Sequence, residues 1–466
     1  MTKFAVFYGN RGFMPGEVVL EARRQMPAAI RDAGFECIEL PAERTKFGGV
    51  DCAEEAKLYA EFLRKNRREY DGVIVCLPNF GDEASAVEAL KECGTPVLIQ
   101  AYPDEISQMD FAHRRDAFCG KMAITDIFHQ YGVPFSLTRS HVVHPGSGEF
   151  FEELKKFAAV CRIVRALSNL IVVAVGARTS AFKSMRFDEL TAQRYGITVE
   201  TLDLSDFFLR MKEIDNGAEP FLQRLSFYRE YGDASKVPDQ ALENMVRASL
   251  AADMIAKEYG TDCLTIRCWN EFQREMKISV CTLISELNDR GTVAACELDI
   301  ANAISMKALS AASMQAATCL DFNNNYGDDR NKCILFHCGP VPKSLMKGRG
   351  EIAEHKMFKK TMGENISWGV YQGVISPGSV TLSSLKTEDG LLHAFATQGS
   401  ITGDTIEEGF FGTGGVFETN DLQKKLYLIA KNGYRHHVSL SGGHHKEAVL
   451  EAFQTYLGYK ITSLDK

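Results

Sequence analysis

The sequence predicts an α/β protein: two Rossmann-like parallel-sheet domains followed by a C-terminal β-rich, barrel-like domain. Three observations carry that expectation. Short apolar runs alternate with helical stretches through the first part of the chain, the rhythm of a parallel sheet wrapped by helices. The rhythm restarts at NLIVVAVG (169–176), after a long helical segment. From about residue 350 helical periodicity thins and short strand-like runs rich in Gly, Ser and Thr take over. The expected domains are therefore 1–168, 169–350 and 351–466.

Taken in order, KFAVFYG, FECIEL, DGVIVCLP and TPVLIQA read as buried strands. Helical segments EVVLEARRQMPAAIRDAG, EEAKLYAEFLRKNRREY and EASAVEALKECG lie between them. In such sheets ligands bind at loops following strand C-termini. Two of these loops stand out, YGNRGFMPGE (8–17) and PNFGDEAS (78–85). In the second domain NLIVVAVG, ITVETLDL and TDCLTIRCW are strands, and PDQALENMVRASLAADMIAKEYG is the clearest helix. In the third, SWGVYQGVISPGSVTLSSL, LLHAFATQGSITGDT and GVFE supply strands. KEAVLEAFQTYLG closes the chain as an amphipathic helix.

The bulk properties of the 466 residues narrow the function. A net charge of −8 argues against nucleic acid as the main partner, since phosphate binding needs a basic footprint. No apolar run approaches the roughly 18 residues that span a bilayer, so no membrane partner is expected. The N-terminus MTKFAVFYGNRGF enters a strand directly, without the apolar segment of a signal peptide. Thirteen scattered cysteines with no CxxC pair suit a reducing, cytoplasmic compartment.

The most informative stretch runs from TVAACELD to ILFHCG (292–339). TVAAC reads as a strand, ANAISMKALSAAS as a helix and ATCLDF as the next strand. Such a βαβ unit would leave both strands parallel and near neighbours, with Glu297 and Asp321 emerging at one sheet edge. Two carboxylates that close repel unless a cation or a shared proton lies between them. The plainer reading has each acid capping the helix or loop that follows it. A hard divalent cation accepts two carboxylates and adds imidazole or water. The candidate histidines are His337 and the terminal run GYRHHVSLSGGHHKEAV, which holds four of the chain's eleven. RHHVSLS reads as a strand, so His436 and His437 face opposite sides and only one enters a site. His444 and His445 open the final helix and read as exposed.

The runs CWNEFQ (268–273), CELD (296–299), Asp321, FHCG (336–339) and the pair at 436–437, in that order, resemble the L-fucose/L-arabinose isomerase superfamily. GNRGF, VVAVGARTSAFKSMRFDE and SPGSVTLSSL support the resemblance, which covers most of the chain. It implies an aldose–ketose isomerase using Mn²⁺, or another divalent cation such as Mg²⁺ or Co²⁺. The carried-over ligands are Glu297, Asp321 and His437, the second histidine of its pair. The arabinose-type pattern adds His337. Glu followed by Asp is the fucose-type order. The implied substrate is a free sugar of the L-fucose or D-arabinose kind, or a C6-modified hexose such as sulfoquinovose. The chain is shorter than typical fucose isomerases, and the C-terminal domain carries the deficit. In the family an N-terminal arginine, here Arg11, reaches a neighbouring subunit's site. A homo-oligomer follows, a hexamer or trimer with active sites at subunit interfaces.

The expected chemistry is proton transfer from C2 to C1 through a cis-enediol. One of Glu297 and Asp321 would act as base and the other as acid. Asn10 and Arg11 read either as a charged surface loop or as sugar-hydroxyl ligands. Trp269 reads as a stacking face or a core residue, and Asn270 as a further sugar contact. A metal-dependent aldolase or hydratase could use the same residues, and a non-catalytic sugar-binding protein would share the two α/β domains.

Overall fold

The computed structural model describes residues 2–110, 112–407 and 409–465. It divides into two compact units, Met1–Arg165 with Gln454–Leu457, and Ala166–Phe453 with Gly458–Lys466. The first unit is built on a parallel sheet with spatial order Glu36–Glu39, Lys3–Tyr8, Gly72–Leu77, Val97–Ala101 and Ser136–Leu137. The central strand GVIVCL is buried at every position, as expected where helices cover both faces. Phe7, Val73, Val75 and Ile99 form the middle of its core. The C-terminal segment returns to this unit: the Tyr456 hydroxyl lies 2.8 Å from Ser136 Oγ and donates to the Val97 carbonyl at 3.1 Å.

The second unit combines two sheets. Four parallel strands run in the order Thr198–Leu202, Ile171–Val175, Cys263–Ile266 and Val293–Cys296. The second sheet has nine strands, and six of them close into a ring. Around that ring lie Thr413–Glu418, Asp329–His337, Ala317–Tyr326, His437–Gly442, Gly378–Glu388 and Leu391–Ile401. Leu391–Ile401 pairs back to Thr413–Glu418 through Ser400↔Glu418 and Ile401↔Phe417, all antiparallel. The barrel-like expectation is thus met by a closed antiparallel barrel, which leaves the ring no open edge.

The expected βαβ unit is corrected. The chain leaves the parallel sheet after Val293–Cys296, passes through the helix Ile300–Ser313, and enters the barrel. Ala317–Tyr326 pairs antiparallel with Asp329–His337 and His437–Gly442, not parallel with Val293–Cys296. The cause is the turn at Gly327 and Asp328, with Gly327 at φ +54°, which folds the strand back as a hairpin. A connection that short permits only antiparallel pairing. FNNNY, which extends this strand, is its exposed end rather than a loop.

Candidate metal and sugar site

Four side chains from four separate segments of the second unit, Glu297, Asp321, His337 and His437, come together. Glu297 sits in the turn between Val293–Cys296 and the helix Ile300–Ser313. Glu297 and Leu298 both take left-handed backbone, φ +60° and +58°. This conformation costs L-residues roughly 1–2 kcal/mol each, so the turn is strained. It lets the chain place Glu297 in the site while Asp299, the next residue but one, caps the helix by accepting from Asn302 N at 3.0 Å. The capping role weighed for Glu297 therefore belongs to Asp299.

Asp321 reaches the site from the barrel wall. Its cross-strand partner is His437, so both side chains leave the same face of adjacent strands. His337 ends the neighbouring strand, and its ring centroid lies 5.6 Å from that of His437. His437 Nε2 is 3.5 Å from Glu297 and 3.3 Å from Asp321. Glu297, His337 and His437 each offer a ligand atom within 4.8 Å of the others. The expectation that only one histidine of the pair enters a site is corrected: His436, just before the strand and about half-exposed, lies 3.7 Å from Asp321 and lines the same cleft.

Burial sets the electrostatics. It pushes the Glu297 carboxyl up, but the imidazole of His437 outweighs it and leaves Glu297 below its usual value. Burial lowers His337, against the pull of Asp321 and Glu297. Burial also disfavours charge on His437, yet Cys319 and the carboxylates of Asp299 and Glu297 hold its pKa well above the ordinary one. The site thus concentrates positive charge between acids. Asp321 Oδ1 and His337 Nε2 are buried without a hydrogen-bond partner among the described residues. Leaving such an atom unmet costs roughly 1–3 kcal/mol. A hard divalent cation held by the two carboxylates and the His437 imidazole would meet the Asp321 oxygen, so the donor set fits the group, and a ligand oxygen would meet His337 Nε2. The Cys338 N–H donates to His337 Nδ1 at 2.8 Å, which puts the proton of a neutral His337 ring on Nε2.

Glu297 and Asp321 line a cleft of about 650 Å³. Its other walls are largely aromatic: Phe182, Trp269, Phe336, Phe410 and Phe411, with Asn323, His436 and Glu407 as polar members. Trp269 packs edge-on to Phe182 at 5.3 Å and Phe358 at 5.1 Å while facing this cleft. Asn270 does not line the cleft, and its carbonyl accepts from Arg274 N. Gln273 is buried and bonded to the Cys268 carbonyl, and Arg178 ties down its own loop through the Thr179 and Phe182 carbonyls. His444 is exposed, and His445 is half-buried at the start of the last helix.

Asn10 and Arg11 belong to the first unit. Asn10 is 1% exposed, donates to Asp51 at 3.2 Å and accepts from Asn79 at 2.8 Å. The Arg11 guanidinium lies 4.8 Å over the Phe80 ring and 3.9 Å from Asp82. A cleft of similar size in this unit, about 650 Å³, is lined by Lys57, Arg64, Arg67 and Lys91 among acidic residues, and no histidine lines it.

Sequence reasoning missed Asp299 and the barrel aromatics. An Asp immediately before the apolar helical run IANAI carries the signature of a helix N-cap, which could have separated Asp299 from Glu297. Phe410 and Phe411 lie in an irregular loop without periodicity and gave no comparable sign. No helix among the described residues is long and apolar enough to cross a membrane.

The model of the fucose/sulfoquinovose isomerase N-terminal domain matches residues 5–168, and that of the L-fucose isomerase C-terminal domain matches residues 335–464. A sulfoquinovose isomerase of Priestia aryabhattai is 21% identical over 405 residues, covering 86% of this chain and 87% of that protein. A sulfoquinovose isomerase of Alkalicoccus urumqiensis is 25% identical over 316 residues, covering 68% of this chain and 70% of that protein. Among solved structures, a periplasmic solute-binding protein of Actinobacillus succinogenes with bound D-allose aligns at 12% identity over 68% of this chain and 93% of that one. Its TM-score is 0.18, too low to indicate a common fold. With matched domain models at both ends and relatives aligned along most of its length, the chain belongs to the fucose isomerase-like superfamily of aldose–ketose isomerases.

Proposed function

We propose that this protein isomerises a free monosaccharide between aldose and ketose with a divalent cation, Mn²⁺ first, by proton transfer through a cis-enediol. One observation carries the reading. Two carboxylates and two imidazoles converge where Asp321 Oδ1 and His337 Nε2 are buried and unpartnered, beside a cleft large enough for a hexose. Glu297, Asp321 and His437 would hold the cation. Bound there, it would stabilise the negative charge that develops on the sugar oxygens. One of Glu297 and Asp321 would take the C2 proton and return it at C1, while the other would give a proton to O1 and take one back from O2 as the ketose carbonyl forms. His337, whose proton sits on Nε2 because Nδ1 accepts from the Cys338 N–H, joins them as a hydrogen-bond donor to a sugar oxygen rather than as the further ligand of the arabinose-type pattern. Trp269 and its aromatic neighbours pack the C–H face of the ring and exclude water.

The relatives' names make sulfoquinovose the first sugar to test, ahead of L-fucose and D-arabinose. A sulfonate needs a cationic partner, and the described lining contains neither Lys nor Arg. Arg11 of a neighbouring copy would supply one, in a homo-oligomer, hexamer or trimer, whose sites lie at subunit interfaces. Asn10 would hold the Arg11 loop in shape rather than touch sugar. The thirteen scattered cysteines, with no CxxC spacing among them, support a cytoplasmic setting.

The test is a panel of these aldoses with Mn²⁺, followed by ketose formation and by solvent deuterium entering C1 or C2. Isomerisation conserves mass, whereas an aldolase splits the chain and a hydratase adds or removes water. If no aldose is converted, the proposal is wrong.

A further inference from the structure

Asp299 lies two residues beyond Glu297, is fully buried, and does not line the cleft. Both its oxygens are engaged twice. Oδ1 accepts from Asn302 N at 3.0 Å and from Arg435 Nη1 at 2.6 Å. Oδ2 accepts from Asn302 Nδ2 at 2.7 Å and lies 2.9 Å from His437 Nδ1. A carboxylate cannot donate, so the His437 contact requires the proton on Nδ1. With Nδ1 committed to Asp299, Nε2 is the nitrogen that faces Glu297 and Asp321 and that would give up its proton to take a cation.

The surrounding pattern shows that the contact is built in. His437 and Ser439 share a face of the strand His437–Gly442, and Arg435 lies in the segment that leads into it. Ser439 Oγ donates to Asn302 Oδ1 at 2.9 Å, so the residues on either side of His437 also bond to the start of the helix Ile300–Ser313. Arg435 balances the Asp299 charge, which leaves a ligand-orienting carboxylate that adds no net charge behind the site. Two segments distant in sequence, ELDIAN and RHHVS, are thereby locked to each other around one imidazole.

We propose that Asp299, held by Arg435, is the positioning residue that fixes the tautomer and ring orientation of His437 for cation binding through Nε2. This inference rests on the reading of Glu297, Asp321 and His437 as the cation site. Removing such an outer partner typically weakens metal binding 10–100-fold.

The test uses the full-length protein and Mn²⁺ or Co²⁺ alone, without sugar. Ser is a good helix N-cap but is too short to reach His437, so Asp299→Ser separates capping from positioning. Asp299→Asn keeps the size and an acceptor oxygen but loses the charge. We expect Mn²⁺ affinity, measured by direct titration, to fall about 10–100-fold in Asp299→Ser. We expect a smaller fall in Asp299→Asn and a changed visible absorption of bound Co²⁺ in both. Arg435→Lys, which keeps the charge, should restore most of the affinity lost in Arg435→Gln, and this pair decides the matter if neither Asp299 variant folds. Folded Asp299 variants with wild-type Mn²⁺ affinity and an unchanged Co²⁺ spectrum would reduce Asp299 to a helix cap and overturn the inference. His437→Ala is the control for the parent reading. If the wild type does not bind Mn²⁺, or His437→Ala binds it unchanged, the cation site itself is wrong and the inference falls with it.

Discussion

At the carboxyl edge of the first unit's sheet, Asn10, Arg11 and Asn79 bond mainly to their own neighbourhood. Asn79 donates to Asn10 and accepts from the backbone N–H groups of Arg11 and Gly81. In the second unit, Asp321 Oδ1 and His337 Nε2 are equally buried and have no such partner. Both regions follow the rule that ligand-facing loops gather at strand ends. They differ in whether the protein completes its own hydrogen bonds. A polar cluster that satisfies itself is a lock on two loops, whereas one left open at a cleft is shaped for something else.

The sharpest break of this contrast is on the open side. Glu297→Gln or Asp321→Asn should lower turnover by about 10³-fold with circular dichroism unchanged. Turnover within tenfold of wild type would sink the assignment of these acids. Stripping the cation with a chelator should abolish activity, and Mn²⁺ should restore it. At 100 times its dissociation constant Mn²⁺ should also stabilise the fold by about 2.7 kcal/mol, read as a rise in the unfolding midpoint. An unchanged midpoint would argue against a bound ion.

On the closed side the effects fall on stability. Lys121 is 1% exposed and hydrogen-bonded to Thr138 Oγ1 and the His141 carbonyl. Burial brings its pKa from 10.5 down to about 8. Between about 8 and 10.5 the unfolded chain holds the proton that the folded chain has released, so stability rises with pH through that window. Below about 8 both states are charged and the penalty, about 3 kcal/mol, is constant. Denaturant titrations of wild type and Lys121→Met at several pH values should differ in slope across that window, and parallel curves would refute it. Asn79→Ala should cost about 1–3 kcal/mol by leaving buried partners unmet. A loss under 0.5 kcal/mol would mean the Asn79 lock is not needed.

The smallest effect is also the cleanest control on strain. Met314 ends the helix Ile300–Ser313 with φ +55°, is 73% exposed, and carries no chemistry. Met314→Gly should stabilise by about 1 kcal/mol with activity intact. The same relief is not open to Glu297, where the strained residue is also the one proposed to hold the cation. A destabilised Met314→Gly would show that this end is not under strain.

Much of this molecule was legible because burial writes itself into sequence period. The parallel strands and the long helix Asp239–Tyr259 lie where alternation and 3.6-residue spacing place them. The strand turning back at Gly327 was not, because FNNNYGDD carries polar residues along an exposed strand end and resembles a loop. Glu297 and Asp321 were found by type and order, but the reason for their meeting differs from the one the βαβ reading supplies. The pairing Asp321↔His437 joins residues more than a hundred positions apart, and no local pattern reports such contacts. Asp299 was hidden by its neighbour, since two acids in CELD look interchangeable until one is seen to cap the helix and hold His437.

The closed six-strand ring bears on how such a protein can change over evolutionary time. With every ring strand hydrogen-bonded on both sides, a register slip at His437 would have to break two ladders at once and would exchange His437 for His436 at the site. The placement of His437 beside Asp321 is therefore inherited with the barrel. Phe410 and Phe411, by contrast, lie in the irregular connection between Leu391–Ile401 and Thr413–Glu418, outside the paired strands. New sugars can be accommodated by rewriting that wall while the chemistry beneath it stays in register.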